Sequence, residues 1–190
     1  MPPIDFIGSD RLIALLDAAV RLDDPQRTTQ VVKDALCNLI RKRDMVLPEC
    51  ACQPQPGHYA RRLLYRSEEF GYTVVAMTWG PGQGTPIHDH SGMWCVEGVW
   101  QGQIEVDQYE LSQRAGDRYR FEYRGTVQAG VGSAGCLIPP HEYHRIRNAL
   151  ADRSSVSLHI YGGEMSNCHI FAPVDDDWYT RSAKPLSYAS

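Results

Sequence analysis

Two histidines separated by a single residue constrain this chain more than any other feature. His88 and His90 close the stretch 82–90, which reads GQGTPIHDH. On a β-strand, residues two apart project from the same face, so both imidazoles can reach one ion, which a helix does not allow at that spacing. Asp89 then points away from the ion. The preceding glycines and proline favour a turn that leads into a strand, so the sequence predicts a hairpin that carries metal ligands.

The spacing around these histidines resembles the first signature of the cupin barrel. Five residues separate Gly82 from His88, and Gly102 closes the pattern. Cys95 occupies the position at which most cupins carry an acidic ligand. We therefore expect a metal site without that carboxylate.

Residues 139–148 resemble the second cupin signature. Pro139, His144 and Asn148 fit its spacing, and the resemblance implies that His144 is the third metal ligand. His141 lies three residues before His144, which is wrong for the same strand face, so we interpret it as a turn histidine.

Cysteine at the acidic position, the His-Arg-x-x-Asn that begins at His144, and a Ser-x-His-x-Tyr strand at 157–161 together resemble the cysteine dioxygenase family of thiol dioxygenases. The resemblance runs from about Tyr59 to Phe171. It implies a mainly β, jelly-roll cupin barrel that holds a mononuclear non-haem Fe(II). It also implies that O2 converts a thiol to a sulfinic acid.

The strand at 155–161 alternates Val156, Leu158 and Ile160 with Ser157, His159 and Tyr161. The polar set can be the solvated face of an edge strand. The family resemblance implies instead a hydrogen-bond relay in which Ser157 and His159 orient Tyr161, whose hydroxyl contacts O2 or the substrate. On that interpretation the three residues are catalytic by handling protons, not as nucleophiles.

An arginine near the start of the resemblance is the candidate for substrate binding. Arg61 matches the family position that clamps the substrate carboxylate, and Tyr59 would line the same pocket. Guanidinium groups suit carboxylates because they form forked, charge-assisted hydrogen bonds. We interpret the adjacent Arg62 as a surface charge.

Cys95 has two alternatives, which the sequence leaves open. Eukaryotic members of the family carry a cysteine there that joins the active-site tyrosine, here Tyr161, in a thioether. Trp94, directly before Cys95, resembles the tryptophan that bacterial members without the crosslink carry at this point. On that comparison the Cys95 thiol would stay free.

The N-terminal 48 residues predict two helices. Ser9 can cap the first, and Asp24 followed by Pro25 is typical of the start of the second. Residues 1–48 could scarcely bury a core of their own. We therefore expect one cupin domain over residues 1–190, with this helical extension packed against the barrel.

The composition favours a small-molecule partner. A net charge of −4 and no long basic run argue against nucleic acid. There is no apolar run of membrane-spanning length and no signal-peptide pattern near Met1, so we expect a cytoplasmic protein with no membrane partner. Six cysteines in such a compartment do not predict a disulfide framework. The oligomeric state is open.

These observations predict an Fe(II)-dependent dioxygenase that oxidises a small carboxylated thiol, L-cysteine first, with O2. Two alternatives of the same chemistry are dioxygenases for 3-mercaptopropionate or mercaptosuccinate. A non-catalytic metal-binding cupin is the alternative from another class. A zinc hydrolase with three histidine ligands is a third, for which no general base stands out.

Overall fold

The computed structural model describes residues 3–175 and 177–189. It has two N-terminal helices, α1 (Ser9–Val20) and α2 (Pro25–Arg41), and a short 3-10 helix at Glu49–Cys52. The strands that follow are β1 (Ala60–Arg66), β2 (Thr73–Trp79), β3 (Ile87–His88), β4 (Cys95–Gln101), β5 (Gln103–Ala115), β6 (Arg118–Gly130), β7 (Ala134–Leu137), β8 (His144–Asn148), β9 (Ser155–Tyr161), β10 (Asn167–Asp175) and β11 (Trp178–Pro185).

The strands form two antiparallel systems. One is a five-stranded sheet in the order β1-β2-β9-β4-β7, and the other closes on itself in the order β10-β11-β6-β5-β8-β3. This mainly β barrel with two preceding helices is the cupin fold that the sequence predicted. Closure matters because a closed barrel leaves no unpaired edge.

The helix starts follow their capping chemistry. The Asp24 carboxylate accepts hydrogen bonds from the backbone N–H groups of Gln26 and Arg27, and Pro25 is the first residue of α2, as predicted. The cap predicted at Ser9 is wrong by one residue. Gly8 caps α1, with a φ of 84° and its Cβ position against the Asp44 carbonyl, so a side chain does not fit there.

Both faces of the five-stranded sheet are covered. Leu12, Leu16 and Leu36 of the helices share a buried cluster with Val96 and Leu158 of the sheet, which we call the helix-side core. The helices therefore pack against the barrel, as expected. A single domain over residues 1–190 stays a prediction.

The opposite face of the sheet looks into the barrel. Val75, Cys95 and Tyr161 belong there to a second cluster, the barrel core. Strand β9 lies between β2 and β4, and all seven of its residues are buried. The alternative of a solvated edge strand is therefore wrong, and the Ser157, His159 and Tyr161 side of β9 faces the barrel interior.

Within the described residues, neither helix combines the length and apolar character needed to cross a membrane. The six cysteines are all free thiols there.

Candidate functional site

The three predicted ligand histidines meet at one point. His88 on β3 pairs with His144 on β8, and His90 follows directly after β3. One ligand atom from each lies within 4.8 Å of the others. His90 lies just beyond the end of β3, and its backbone N–H donates to the Glu142 carboxylate at 2.8 Å.

The outer nitrogen of each imidazole is bonded away from the cluster. Nδ1 of His90 lies 3.1 Å from the Glu142 carboxylate, and Nδ1 of His144 lies 2.9 Å from the Glu142 carbonyl. Nδ1 of His88 lies 3.2 Å from the Pro86 carbonyl. Such outer partners fix the orientation of metal-binding histidines. They leave each Nε2 aimed at the centre of the cluster.

The inward nitrogens fit a metal ion. Nε2 of His90 and of His144 is fully buried and has no hydrogen-bond partner in the part of the chain that the structure describes. A buried polar nitrogen without a partner is costly. Three such imidazoles aimed at one point are a donor set that suits a first-row divalent metal.

The surroundings of the cluster shift the pKa values of His88 and His90 in opposite directions. Burial lowers the pKa of His88 well below its usual value, and the neighbouring His144 and His90 lower it further. Burial also opposes a charge on His90, but the carboxylates of Glu142 and Glu97 outweigh it and raise the pKa to about 9.

Two polar residues near the ligands do not join them. Asp89 points away, as predicted: its carboxylate lies 2.9 Å from Nδ1 of His169 on β10. His141 is 74% exposed, with Glu110 at 3.8 Å. It lies outside the cluster, which agrees with its interpretation as a turn histidine.

Ser157, His159 and Tyr161 form a continuous polar chain beside the cluster. Ser157 Oγ lies 2.7 Å from His159 Nε2, and the Tyr161 hydroxyl lies 3.3 Å from His159 Nδ1. Sequence reasoning missed Trp79, whose indole N–H donates to Ser157 Oγ at 2.8 Å. Burial, and then the nearby Cys95, raise the pKa of Tyr161 well above its usual value. The phenol is therefore a hydrogen-bond donor.

Arg61 and Tyr59 line the entrance to this interior. With Tyr161 and His88 they border a cavity of about 20 Å³ next to the histidines, and they also line an outer cavity of about 290 Å³. The Arg61 guanidinium donates to the Met165 carbonyl at 3.0 Å. Its planar group lies 5.3 Å from the centre of the Tyr188 ring.

The interpretation of Arg62 as a surface charge is wrong. Only 5% of Arg62 is exposed, and its Nη1 has no hydrogen-bond partner among the described residues. Arg62 is buried because both faces of the sheet are covered. It shares a strand face with Leu64, which packs in the helix-side core.

A carboxylate that the sequence analysis did not consider lies beside the cluster on β4. Glu97 lies two residues after Cys95 and on the same strand face, and its Oε1 is 3.4 Å from Nε2 of His144 and 3.7 Å from Nε2 of His90. The same oxygen is 3.1 Å from Nδ1 of His159. A carboxylate therefore lies beside the cluster, although residue 95 itself carries none.

The charge on Glu97 is stabilised despite its burial. Burial raises the pKa of this carboxyl, but His144 and then His159 outweigh burial and hold the pKa well below its usual value. The sequence signal for Glu97 was its two-residue spacing from Cys95, which puts both side chains on one face.

Cys95 lies in the barrel core next to the polar chain. It is the partner of Tyr161 in the β4–β9 register, and its Sγ lies 3.9 Å from Glu97 Oε1. Burial, then the carboxylates of Glu97 and Glu142, raise the pKa of its thiol well above the usual value. The thiol is therefore protonated and packs as a small apolar group.

Comparison with known families decides the classification. The family model described as cysteine dioxygenase type I matches residues 55–173. The chain belongs to the cysteine dioxygenase type I family. That range contains the three histidines, Glu97 and the polar chain on β9.

Individual relatives of the cysteine dioxygenase type I family are distant. Cysteine dioxygenase type 1 from Rattus norvegicus is 23% identical over 100 residues, which cover 53% of this chain and 49% of the rat protein. The protein of the same name from Danio rerio is 25% identical over the same length and coverage. The chain spans about half the length of the curated relatives it matches.

Two solved structures show more remote likeness. A Klebsiella pneumoniae protein with a double-stranded β-helix domain has a TM-score of 0.47 at 15% identity, covering 61% of this chain and 82% of that one. The Schizosaccharomyces pombe Cnp3 cupin domain has a TM-score of 0.45 at 13% identity, covering 63% and 69%.

Membership of the cysteine dioxygenase type I family and the cupin fold imply a bound metal. The donor set of His88, His90 and His144 is where such an ion fits, because their inward nitrogens converge.

Proposed function

We propose that this protein is an Fe(II)-dependent thiol dioxygenase that oxidises a small carboxylated thiol, L-cysteine first, to the sulfinic acid. In that reaction R–SH and O2 give R–SO2H, so both oxygen atoms end on the sulfur and no further reductant is needed. Dioxygenases for 3-mercaptopropionate or mercaptosuccinate are alternatives with the same chemistry.

One observation carries the proposal. The inward nitrogens of three histidines converge, and His88 lines the same cavity as a buried polar chain that ends in the Tyr161 hydroxyl. The cavity beside them reaches Arg61. A centre that only stores metal does not need a tyrosine oriented by two further residues, or an arginine at its entrance.

His88, His90 and His144 would hold the metal, and Arg61 and Tyr59 would bind the substrate. Bound at these histidines, Fe(II) supplies the redox chemistry that lets O2 react with a thiolate sulfur. Arg61 would pair with the substrate carboxylate through charge-assisted hydrogen bonds. It is nearly buried, so such a pair would be poorly screened by solvent.

The residues on β9 would position the reactants. Ser157 and His159 hold the Tyr161 hydroxyl, which donates to O2 or to the substrate and keeps its proton because burial raises its pKa. Cys95 is the strand partner of Tyr161 and packs with it in the barrel core. Fixing donors before the reaction is how such side chains lower a barrier.

The partners that we propose are the thiol and O2, with no nucleic acid and no membrane. A cytoplasmic location and one cupin domain over residues 1–190, with residues 1–48 as the helical extension, belong to the same proposal. The net charge of −4 supports a small-molecule partner.

Oxygen consumption by Fe(II)-loaded protein tests the proposal. The thiols to compare are L-cysteine, 3-mercaptopropionate, mercaptosuccinate and cysteamine, and mass spectrometry of the product should show two added oxygen atoms. Cysteamine has no carboxylate and should be a poor substrate. Metal binding without O2 uptake on any of these thiols would favour the non-catalytic cupin instead.

A further inference from the structure

Within the residues that the structure describes, Glu97 is the one acidic side chain whose carboxylate lies between the inward nitrogens of His90 and His144 and the polar chain on β9. We propose that Glu97 is a fourth protein ligand of the metal, acting through Oε1 beside His88, His90 and His144. This inference rests on the proposed three-histidine centre and adds to it an anionic ligand from a shifted position on β4.

The hydrogen bonds of the cluster set which atoms carry lone pairs. Nδ1 of His88 and Nδ1 of His144 each face a backbone carbonyl, which only accepts, and Nδ1 of His90 faces the Glu142 carboxylate. In the neutral form that binds a metal ion, each imidazole therefore carries its proton on Nδ1, and its Nε2 keeps a lone pair. A carboxylate oxygen aimed at such lone pairs is repelled unless a cation lies between them.

The distances agree with this interpretation. Charge-assisted N–H···O bonds are about 2.7–2.9 Å long, whereas Oε1 is 3.4 Å from His144 Nε2 and 3.7 Å from His90 Nε2. Ligands that bind one ion at right angles, with bonds of roughly 2.1 Å, lie about 3 Å apart. The observed separations exceed that by well under 1 Å, which small rotations of these side chains can close.

The remaining contact of Glu97 fits a metal ligand as well. His159 Nδ1 lies 3.1 Å from the same Oε1 and can donate to it, since Ser157 Oγ can donate to His159 Nε2. Ligating carboxylates are commonly hydrogen-bonded by an outer residue. His159 would thus act on both Glu97 and Tyr161.

A fourth protein ligand changes what the centre can bind. Glu97 would remove one unit of positive charge from an ion otherwise held by neutral imidazoles. With four protein ligands in place of three, fewer positions would remain for substrate and O2. Thiols that contact the metal through sulfur alone, with their carboxylate at Arg61, should then fit the site no worse than thiols that also carry an amine.

Metal affinity of the apoprotein tests the proposal without using activity. Glu97→Gln keeps the size of the side chain and an oxygen for His159, but loses the charge. We expect its dissociation constant for Co(II) or Mn(II) to rise at least tenfold, because changing even an outer partner of a ligand costs about that much. Glu164→Gln, a carboxylate paired with Arg66 outside the cluster, is the matched control and should not change it.

His159→Ala separates ligation from a mere pairing with His159. It removes the other contact of Glu97 but leaves the carboxylate in place, so its loss of metal affinity should be clearly smaller than that of Glu97→Gln, because an outer partner contributes less than a ligand. Equal affinities of Glu97→Gln and the parent, or equal losses in Glu97→Gln and His159→Ala, would overturn the inference.

The parent protein gives a second readout that does not depend on a variant folding. With ¹³C-labelled glutamate, the infrared difference spectrum on metal binding should contain shifted carboxylate bands that are missing from Glu97→Gln, whereas the bands of Glu142, which contacts His90, should remain in both. A parent that binds metal without the Glu97 bands overturns the inference alone. A parent that binds no metal contradicts the proposed function too.

Discussion

Cys95 and Tyr161 lie opposite each other on the neighbouring antiparallel strands β4 and β9. Both side chains are buried in the barrel core, and the pKa of each is raised by burial. The thiol and the phenol are therefore neutral neighbours beside the proposed metal. This is the arrangement from which a thioether between the two would form.

We predict that turnover with Fe(II), thiol and O2 joins Cys95 to Tyr161. The bond replaces the thiol hydrogen and one ring hydrogen, with O2 as the oxidant, so intact mass should fall by two hydrogens. Cys95→Ala and Tyr161→Phe should each keep their full mass. An active parent whose mass does not change would show that the bond is not required.

We predict that alanine at any one of His88, His90 or His144 lowers iron occupancy and abolishes O2 uptake. Each imidazole supplies one inward nitrogen, and its loss also removes a hydrogen-bond partner from a buried group such as the Glu142 carboxylate. Metal analysis after loading under anaerobic conditions measures this. His141→Ala is the matched control and should keep its iron, because its side chain is largely exposed. Full iron in all three ligand variants would refute the assignment.

The sequence could predict the histidines and the strand at 155–161 because both rest on local spacing. Two-residue periods place side chains on one face whatever the rest of the chain does. Family resemblance then supplied His144, which lies far from His88 along the chain but beside it in space.

The sequence could not predict features that depend on which surfaces meet. Cys95 occupied the acidic position of the motif, so Glu97 was passed over, although both share a face of β4. The burial of Arg62 could not be predicted, because the residues around it in the sequence do not indicate that both faces of β1 are covered. Trp79 joins Ser157 only through the β2–β9 pairing.

We predict that Arg61→Ala raises KM for carboxylated thiols. Losing a charge-assisted pair costs about 1.5–3 kcal/mol, which corresponds to a KM increase of roughly ten- to a hundredfold. Initial rates of O2 uptake with L-cysteine and with 3-mercaptopropionate measure this. Arg61→Lys should recover only part of the loss, because an ammonium lacks the planar fork.

Arg66 provides the control for charge on the same strand. It is half-exposed and pairs with Glu164 outside the cavities, so Arg66→Ala should leave KM unchanged. The interpretation fails if Arg61→Ala and Arg66→Ala have equal KM values, or if the parent oxidises cysteamine as well as cysteine.

The close contact between β4 and α2 leads to the last prediction, which concerns stability. A Cβ at Gly98 would lie 2.5 Å from Cδ2 and 3.0 Å from Cγ of Leu36, which is completely buried in the helix-side core. Overpacking of this kind costs typically about 1–3 kcal/mol. Gly98→Ala should lower the free energy of unfolding by that amount and the melting temperature by roughly 2–4 °C per kcal/mol.

Gly135→Ala is the matched control, because Gly135 lies on the neighbouring strand β7 and a Cβ there meets nothing within 4 Å. Restricting the unfolded chain at such a position stabilises by about 0.4–1 kcal/mol, so the two substitutions should have opposite signs. Urea denaturation followed by circular dichroism compares them with the parent. If both variants were as stable as the parent, the packing of α2 on β4 would be looser than described. The helices would then contribute less to the stability of the sheet that carries Glu97 and Cys95.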